Sequence, residues 1–248
     1  MMVSNFKALN GVFKGRKLRN VNYVVSGLFV IYIGLIIYPN FLFGYSFRYQ
    51  NLNVYSTHPL SNNILAVLRE AETKLLSSEI YSRDKVHPIY LCNNYGLYTF
   101  FAPFSRKAFA CNYPFSGRIF IASCDVDKNE AYKNDENDQY TRPLSTLISH
   151  EVSHTSIRER IGFWKYKMLN SWKNEGYCDY VGYGGSGDMN EAKAFLIKSK
   201  DDHKPGTEYR KYYFAVNYLV TREKMTFDQI ISSDLSLEAV LNKVRSAE

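Results

Sequence analysis

From Asn20 to Phe47 the chain reads NVNYVVSGLFVIYIGLIIYPNFLFGYSF, with no Asp, Glu, Lys or Arg. A run of this length can cross a bilayer as one helix, and Tyr23, Tyr32 and Tyr38 are of the aromatic type that settles at interfaces. Arg48 to Val54 reads as a short linker. In NNILAVLREAETKLLSSEIY, the residues Ile64, Leu65, Leu68, Ala71, Leu75 and Leu76 recur at helical spacing, with Ser61 or Asn62 as the cap. HPIYLC and RIFIAS are short β-branched and aromatic runs, and YTFFAPFSRKAFAC between them alternates well enough for one or two further strands.

DVDKNEAYKNDENDQY, rich in acids and Asn, reads as a solvated loop. TRPLSTLISHEVSHTSIRER then predicts a helix with Thr141 as cap, Pro143 in the first turn and Gly162 beyond the end. After an irregular stretch, NSWKNEGYCDYVGY gives a second helix that breaks at GYGGSGD. NEAKAFLIKSK, GTEYRKYYFAVNYLVTREK and SLEAVLNKVRS carry three more helical patterns. The order predicts an α+β fold: a transmembrane helix, then one compact domain with a small sheet and a helical half. A chain of 248 residues suffices for one well-buried domain and an appendage.

Charge sharpens this division into residues 1–19, 20–47 and 48–248. Lys7, Lys14, Arg16, Lys17 and Arg19 precede the apolar run with no acid among them. The positive-inside rule then keeps the N-terminus in the cytoplasm and sends the domain across, as a single-pass signal anchor would. A cleaved signal peptide is the rival reading, but YPNFLFGYSF offers bulky residues where a small-x-small cleavage site belongs. A buried core helix is the third. Of the 31 Lys and Arg, 26 remain beyond the anchor against 24 acids, so most of the net charge of +7 belongs to the tail and the domain keeps a balance of only +2. The domain lacks the basic excess that nucleic-acid binding needs.

Cys92, Cys111, Cys124 and Cys178 all follow the anchor, where an oxidising compartment permits one or two disulfides without fixing their connectivity. Asp125, Asp127, Asn129 and Glu136 fall at EF-hand positions, yet Glu130 stands where the turn needs Gly, which disfavours calcium. His58, His87 and His203 sit singly in loop-like sequence and read as exposed.

The candidate chemistry lies in SHEVSHT. His150 and His154, four apart on a helix, can aim imidazole nitrogens at a single ion, while Glu151 is displaced toward a water. A catalytic zinc needs three protein ligands and an open position; Glu175 on the next helix is the best third donor. Cys178 is a further candidate ligand but reads better as a buried thiol. Asp179, one turn beyond Glu175, can accept the second ring N–H of a metal-bound histidine, or serve simply as a solvated helix acid or a salt-bridge partner.

LISHEVSHT followed by WKNEGYCDY resembles the gluzincin class of zinc metallopeptidases, the thermolysin-like superfamily. Asn174-Glu175-x-x-x-Asp179 is similar to the Asn-Glu-x-x-x-Asp of thermolysin-type enzymes, and Trp172-x-x-Glu175-Gly176 resembles the motif of smaller membrane-associated members. The resemblance covers roughly the last half of the chain. It implies Zn2+ held by His150, His154 and Glu175, Glu151 as general base, and Asp179 orienting His150. It also implies a Tyr or His that holds the oxyanion, for which Tyr209 in YRKYYFAVNYL fits best. The function so implied is a membrane-anchored zinc hydrolase acting on a peptide or protein outside the cytoplasm. The alternative is a non-catalytic, membrane-tethered binding module on the same scaffold.

Overall fold

The computed structural model describes residues 22–113, 116–133, 140–185, 187–199 and 205–247. The basic tail of residues 1–19, Glu136 and His203 lie outside the described residues. The chain divides into two units, Met1–Phe43 and Gly44–Glu248.

In the first unit, residues 22–37 form helix α1, and a 3-10 turn follows at Pro39–Leu42. Most of the α1 side chains are exposed, among them Val24, Leu28, Phe29 and Ile31. Among the described residues no helix is long and apolar enough to cross a membrane. The apolar run does not continue as one helix to Phe47. Proline opens the 3-10 turn, where its fixed φ fits, and Tyr45 already begins a strand.

The second unit is α+β. Tyr45–Tyr49 (β1) and Leu52–Ser56 (β2) form a hairpin where a linker was expected. Helix α2 (Ile64–Leu75) crosses over to β3 (His87–Leu91), which lies parallel to β2. Neither Ser61 nor Asn62 is its N-cap; that residue is Asn63, without a side-chain bond. Next come α3 (Tyr95–Phe101), β4 (Ala110–Asn112) and β5 (Ile119–Ile121), completing a mixed sheet of order β1-β2-β3-β5-β4. The YTFF segment is thus helical rather than a strand. Asn94 caps it by accepting a hydrogen bond from the Leu97 N–H (3.0 Å), and Tyr98 and Phe101, three apart, bury together.

Alternation along the strands sets the two faces of the sheet. Leu52, Val54, Ile89, Leu91, Ile119 and Ile121 are fully buried in the main core. Tyr55, Tyr90 and Phe120 stack in register on the other side, with Phe101 of α3 against Phe120 at 4.3 Å.

The expected solvated loop is instead a hairpin, β6 (Ser123–Asp125) and β7 (Glu130–Tyr132), joined by β8 (Thr141–Pro143) into a second, antiparallel sheet. The Asp125 carboxylate accepts the N–H groups of Asp127 and Lys128 and so closes its own turn.

The remaining chain is helical: α4 (Leu144–Ile161), α5 (Phe163–Met168), α6 (Ser171–Gly182), α7 (Met189–Lys198), α8 (Pro205–Thr221), α9 (Phe227–Ser232) and α10 (Leu237–Ser246). Gly162 ends α4 at φ +80°, a conformation that side-chain-bearing residues rarely adopt. The four cysteines are free, so the expected disulfides do not form.

Candidate metal centre

Helix α4 is buried on every side from Leu144 to Ile157 although nine of those fourteen residues are polar, so no amphipathic stripe exists to orient it. Its hydroxyl groups are satisfied internally. Ser149 donates to the carbonyls of Ala71 (3.0 Å) and Ser145 (2.8 Å), Ser153 donates to Ser149, and Lys74 from α2 donates to Ser145 and Thr146. Thr141 does not cap the helix, because it lies in β8. The cap comes from the β6–β7 turn, where Asn129, at φ +54°, accepts Leu144 N–H through its carbonyl and Ser145 N–H through its side chain.

Helix α6 is held between α4 and α8 by two glycines. A Cβ on Gly176 would lie 2.5 Å from the Tyr212 carbonyl oxygen, and one on Gly182 would lie 3.2 Å from the Thr146 carbonyl oxygen. This close fit fixes where Glu175 and Asp179 stand relative to the α4 histidines.

Three donor atoms converge there. His150 Nε2 and His154 Nε2 are 3.1 Å apart, and Glu175 Oε2 is 3.4 Å from the first and 3.7 Å from the second. A tetrahedral ion with bonds of about 2.0 to 2.1 Å separates its ligand atoms by roughly 3.4 Å. The three residues form the one such group of potential ligands among the described residues.

The far side of each ring settles its tautomer. His150 Nδ1 donates to Asp179 Oδ1 at 2.8 Å, and that same oxygen accepts from Arg142 Nη2 at 2.7 Å. Burial opposes a charge on Asp179, but His150 and Arg142 hold its carboxyl down at about 2. His154 Nδ1 faces Asn174 Oδ1 at 3.2 Å, Cys178 Sγ at 3.2 Å and the Tyr166 hydroxyl at 3.3 Å. The hydrogen on His150 Nδ1 and the contacts behind His154 turn both Nε2 atoms toward each other and toward the Glu175 carboxylate. Acceptors so close need a proton or a metal ion between them. Burial opposes a positive charge on His150, yet Asp179 and Glu175 raise its pKa to about 10, so in the metal-free chain a proton takes that place. The residues present thus fit zinc.

Glu151 is 7% exposed, and among the described residues its carboxylate has no hydrogen-bond partner. Its main-chain carbonyl accepts from Asn112 Nδ2 of β4 at 2.7 Å, tying the motif helix to the sheet edge. Cys178 lies behind the His154 ring, on the side away from Nε2, so it is no member of the donor group. Burial raises its thiol pKa well above the ordinary value. Tyr209 is 45% exposed on α8, close enough to Glu175 and Asp179 that, after burial, their charges help raise its pKa. His58 is exposed beside Thr57, whereas His87 opens β3 and is buried, contrary to expectation.

Arg142, Asn112 and Tyr166 enter the site from a segment read as helix start, from just past a segment read as strand, and from irregular chain. An arginine next to Pro143 carries no local signal of its partner; the link to Asp179 exists only once β8 lies over α6. No protein-family model matches the chain, and no curated protein is significantly similar to it.

Proposed function

We propose that the chain is a zinc-dependent hydrolase of gluzincin type, a peptidase tethered through its N-terminal apolar segment and acting outside the cytoplasm. The observation that carries this reading is the convergence of His150 Nε2, His154 Nε2 and Glu175 Oε2 at 3.1 to 3.7 Å, with both rings oriented from behind. The tether and topology rest on the uncharged run and the basic residues before it.

Bound there, zinc supplies a Lewis acid that polarises a carbonyl and brings a water's pKa toward about 7. The protein's own groups do the rest. Glu151, on the next position of the same helix, takes a proton from the attacking water and returns it to the leaving amine. Its lack of a fixed partner leaves the carboxylate able to do both. Asp179 keeps the His150 proton on Nδ1, so Nε2 stays a donor throughout. Tyr209 is the residue proposed to donate to the carbonyl oxygen as negative charge develops on it.

The deciding experiment measures metal content and hydrolysis of a peptide library by the full chain in detergent, beside Glu151→Gln. One zinc per chain, with cleavage abolished in the variant, supports the peptidase. One zinc without cleavage in either protein leaves a binding module, and no zinc removes the metal centre itself.

A further inference from the structure

Helix α5 buries none of its six residues. Trp164 and Met168, one turn apart and therefore on one face, are 77% and 76% exposed. Lys165 and Lys167 border that face and are also exposed. Four other surface cations are matched with acids: Arg160 with Asp228, Arg210 with Glu191, Lys243 with Glu223, Arg245 with Glu238. Lys165 and Lys167 have no carboxylate partner among the described residues, and from Arg160 to Asn174 the sequence contains no Asp or Glu. An exposed Trp and Met between unneutralised lysines require something apolar at the centre and anionic at the rim.

We propose that α5 is a membrane-docking face, on which Trp164 and Met168 enter the interfacial layer and Lys165 and Lys167 meet anionic lipid headgroups. A lipid surface satisfies all four side chains at once. Trp prefers the interface, and each lysine keeps its stem in the apolar boundary with its ammonium among phosphates. A protein partner would have to offer a groove lined with carboxylates for a convex helix of under two turns. The inward side of the same helix sets the Tyr166 hydroxyl 3.3 Å from His154 Nδ1, so the docked element borders the metal centre. The inference stands apart from the metal reading, because it uses neither the ligands nor the base.

The composition of the chain provides the probe. It has two tryptophans, and Trp172 is 8% exposed, so Trp172→Phe leaves Trp164 as the sole and surface-lying fluorophore. The full chain is reconstituted into phosphatidylcholine vesicles with and without phosphatidylglycerol, and emission is quenched from the lipid side with brominated acyl chains and from the water with acrylamide. Docking predicts bromolipid quenching and loss of acrylamide access only when phosphatidylglycerol is present. Lys165→Glu with Lys167→Glu should lower the ratio of docked to undocked protein at least about thirtyfold, each cation near an anionic surface being worth roughly fivefold. Should Trp172→Phe disturb folding, amide exchange of α5 in the wild-type chain gives the same reading: protection on anionic vesicles, lost in Trp164→Ala/Met168→Ala. Trp164 that stays open to acrylamide on phosphatidylglycerol, or is quenched equally on both vesicle types and in both lysine forms, overturns the proposal.

Discussion

The two histidines of α4 lie one turn apart and face the same point, yet different chemistry grips them from behind. His150 is held by a buried carboxylate, itself braced by Arg142. His154 is held by a neutral amide, a hydroxyl and a thiol. A carboxylate behind an imidazole raises its basicity; an amide only orients it. With a metal bound, the asymmetry would make His150 the stronger, charge-coupled ligand and leave His154 oriented by uncharged groups.

The heaviest blow to that picture is loss of a ligand. His150→Ala and His154→Ala should each lose stoichiometric zinc by elemental analysis, and a full equivalent retained in either would refute the assignment. Next in size is Glu151→Gln, which touches neither side: zinc stays while turnover drops by about 10²- to 10⁴-fold. Asp179→Asn then isolates the charged side. It should cost about 10- to 100-fold, divided between zinc affinity and rate, whereas Asn174→Ala on the neutral side should fall at the low end of that range. Equal losses in affinity would erase the asymmetry.

Titration sharpens the same contrast. In the metal-free chain burial disfavours a charged His150, but Asp179 outweighs it and raises the pKa to about 10. A raised pKa means that the folded chain keeps a proton which zinc has to displace. Apparent affinity should therefore climb as pH rises from about 6.5 toward 10, by up to about tenfold per unit, and level off above. Asp179→Asn removes the cause, so the slope should flatten; competition with a chromophoric chelator across that window measures it. The smallest effect belongs to Cys178→Ser, which should leave zinc stoichiometry unchanged, because Sγ lies behind His154.

The donor set was legible because its members are local. His150 and His154 share a helical face by spacing alone, and Glu175 and Asp179 share the next helix. The α+β order, β3, β5 and the C-terminal helices also followed from periodicity. What escaped notice depends on distant chain. Asn129 was read as part of a loop because its role as cap of α4 requires the β6–β7 turn to lie over that helix. Arg142 was read as helix because three-residue strands such as β8 are too short for alternation to show. Alternation suggested a strand from Tyr98, where a capping Asn and a buried pair spaced at i and i+3 produced a helix.

The contact between Gly176 and the Tyr212 carbonyl has a consequence for synthesis. Both histidines, Glu175 and Asp179 are synthesised before α8, so a chain ending near residue 200 carries every proposed ligand but lacks the α8 surface against which Gly176 seats α6. Premature termination there would yield a polypeptide that has the whole motif yet cannot hold its geometry. The chain's last fifth thus acts as a proofreader of length, withholding a finished cavity from incomplete products.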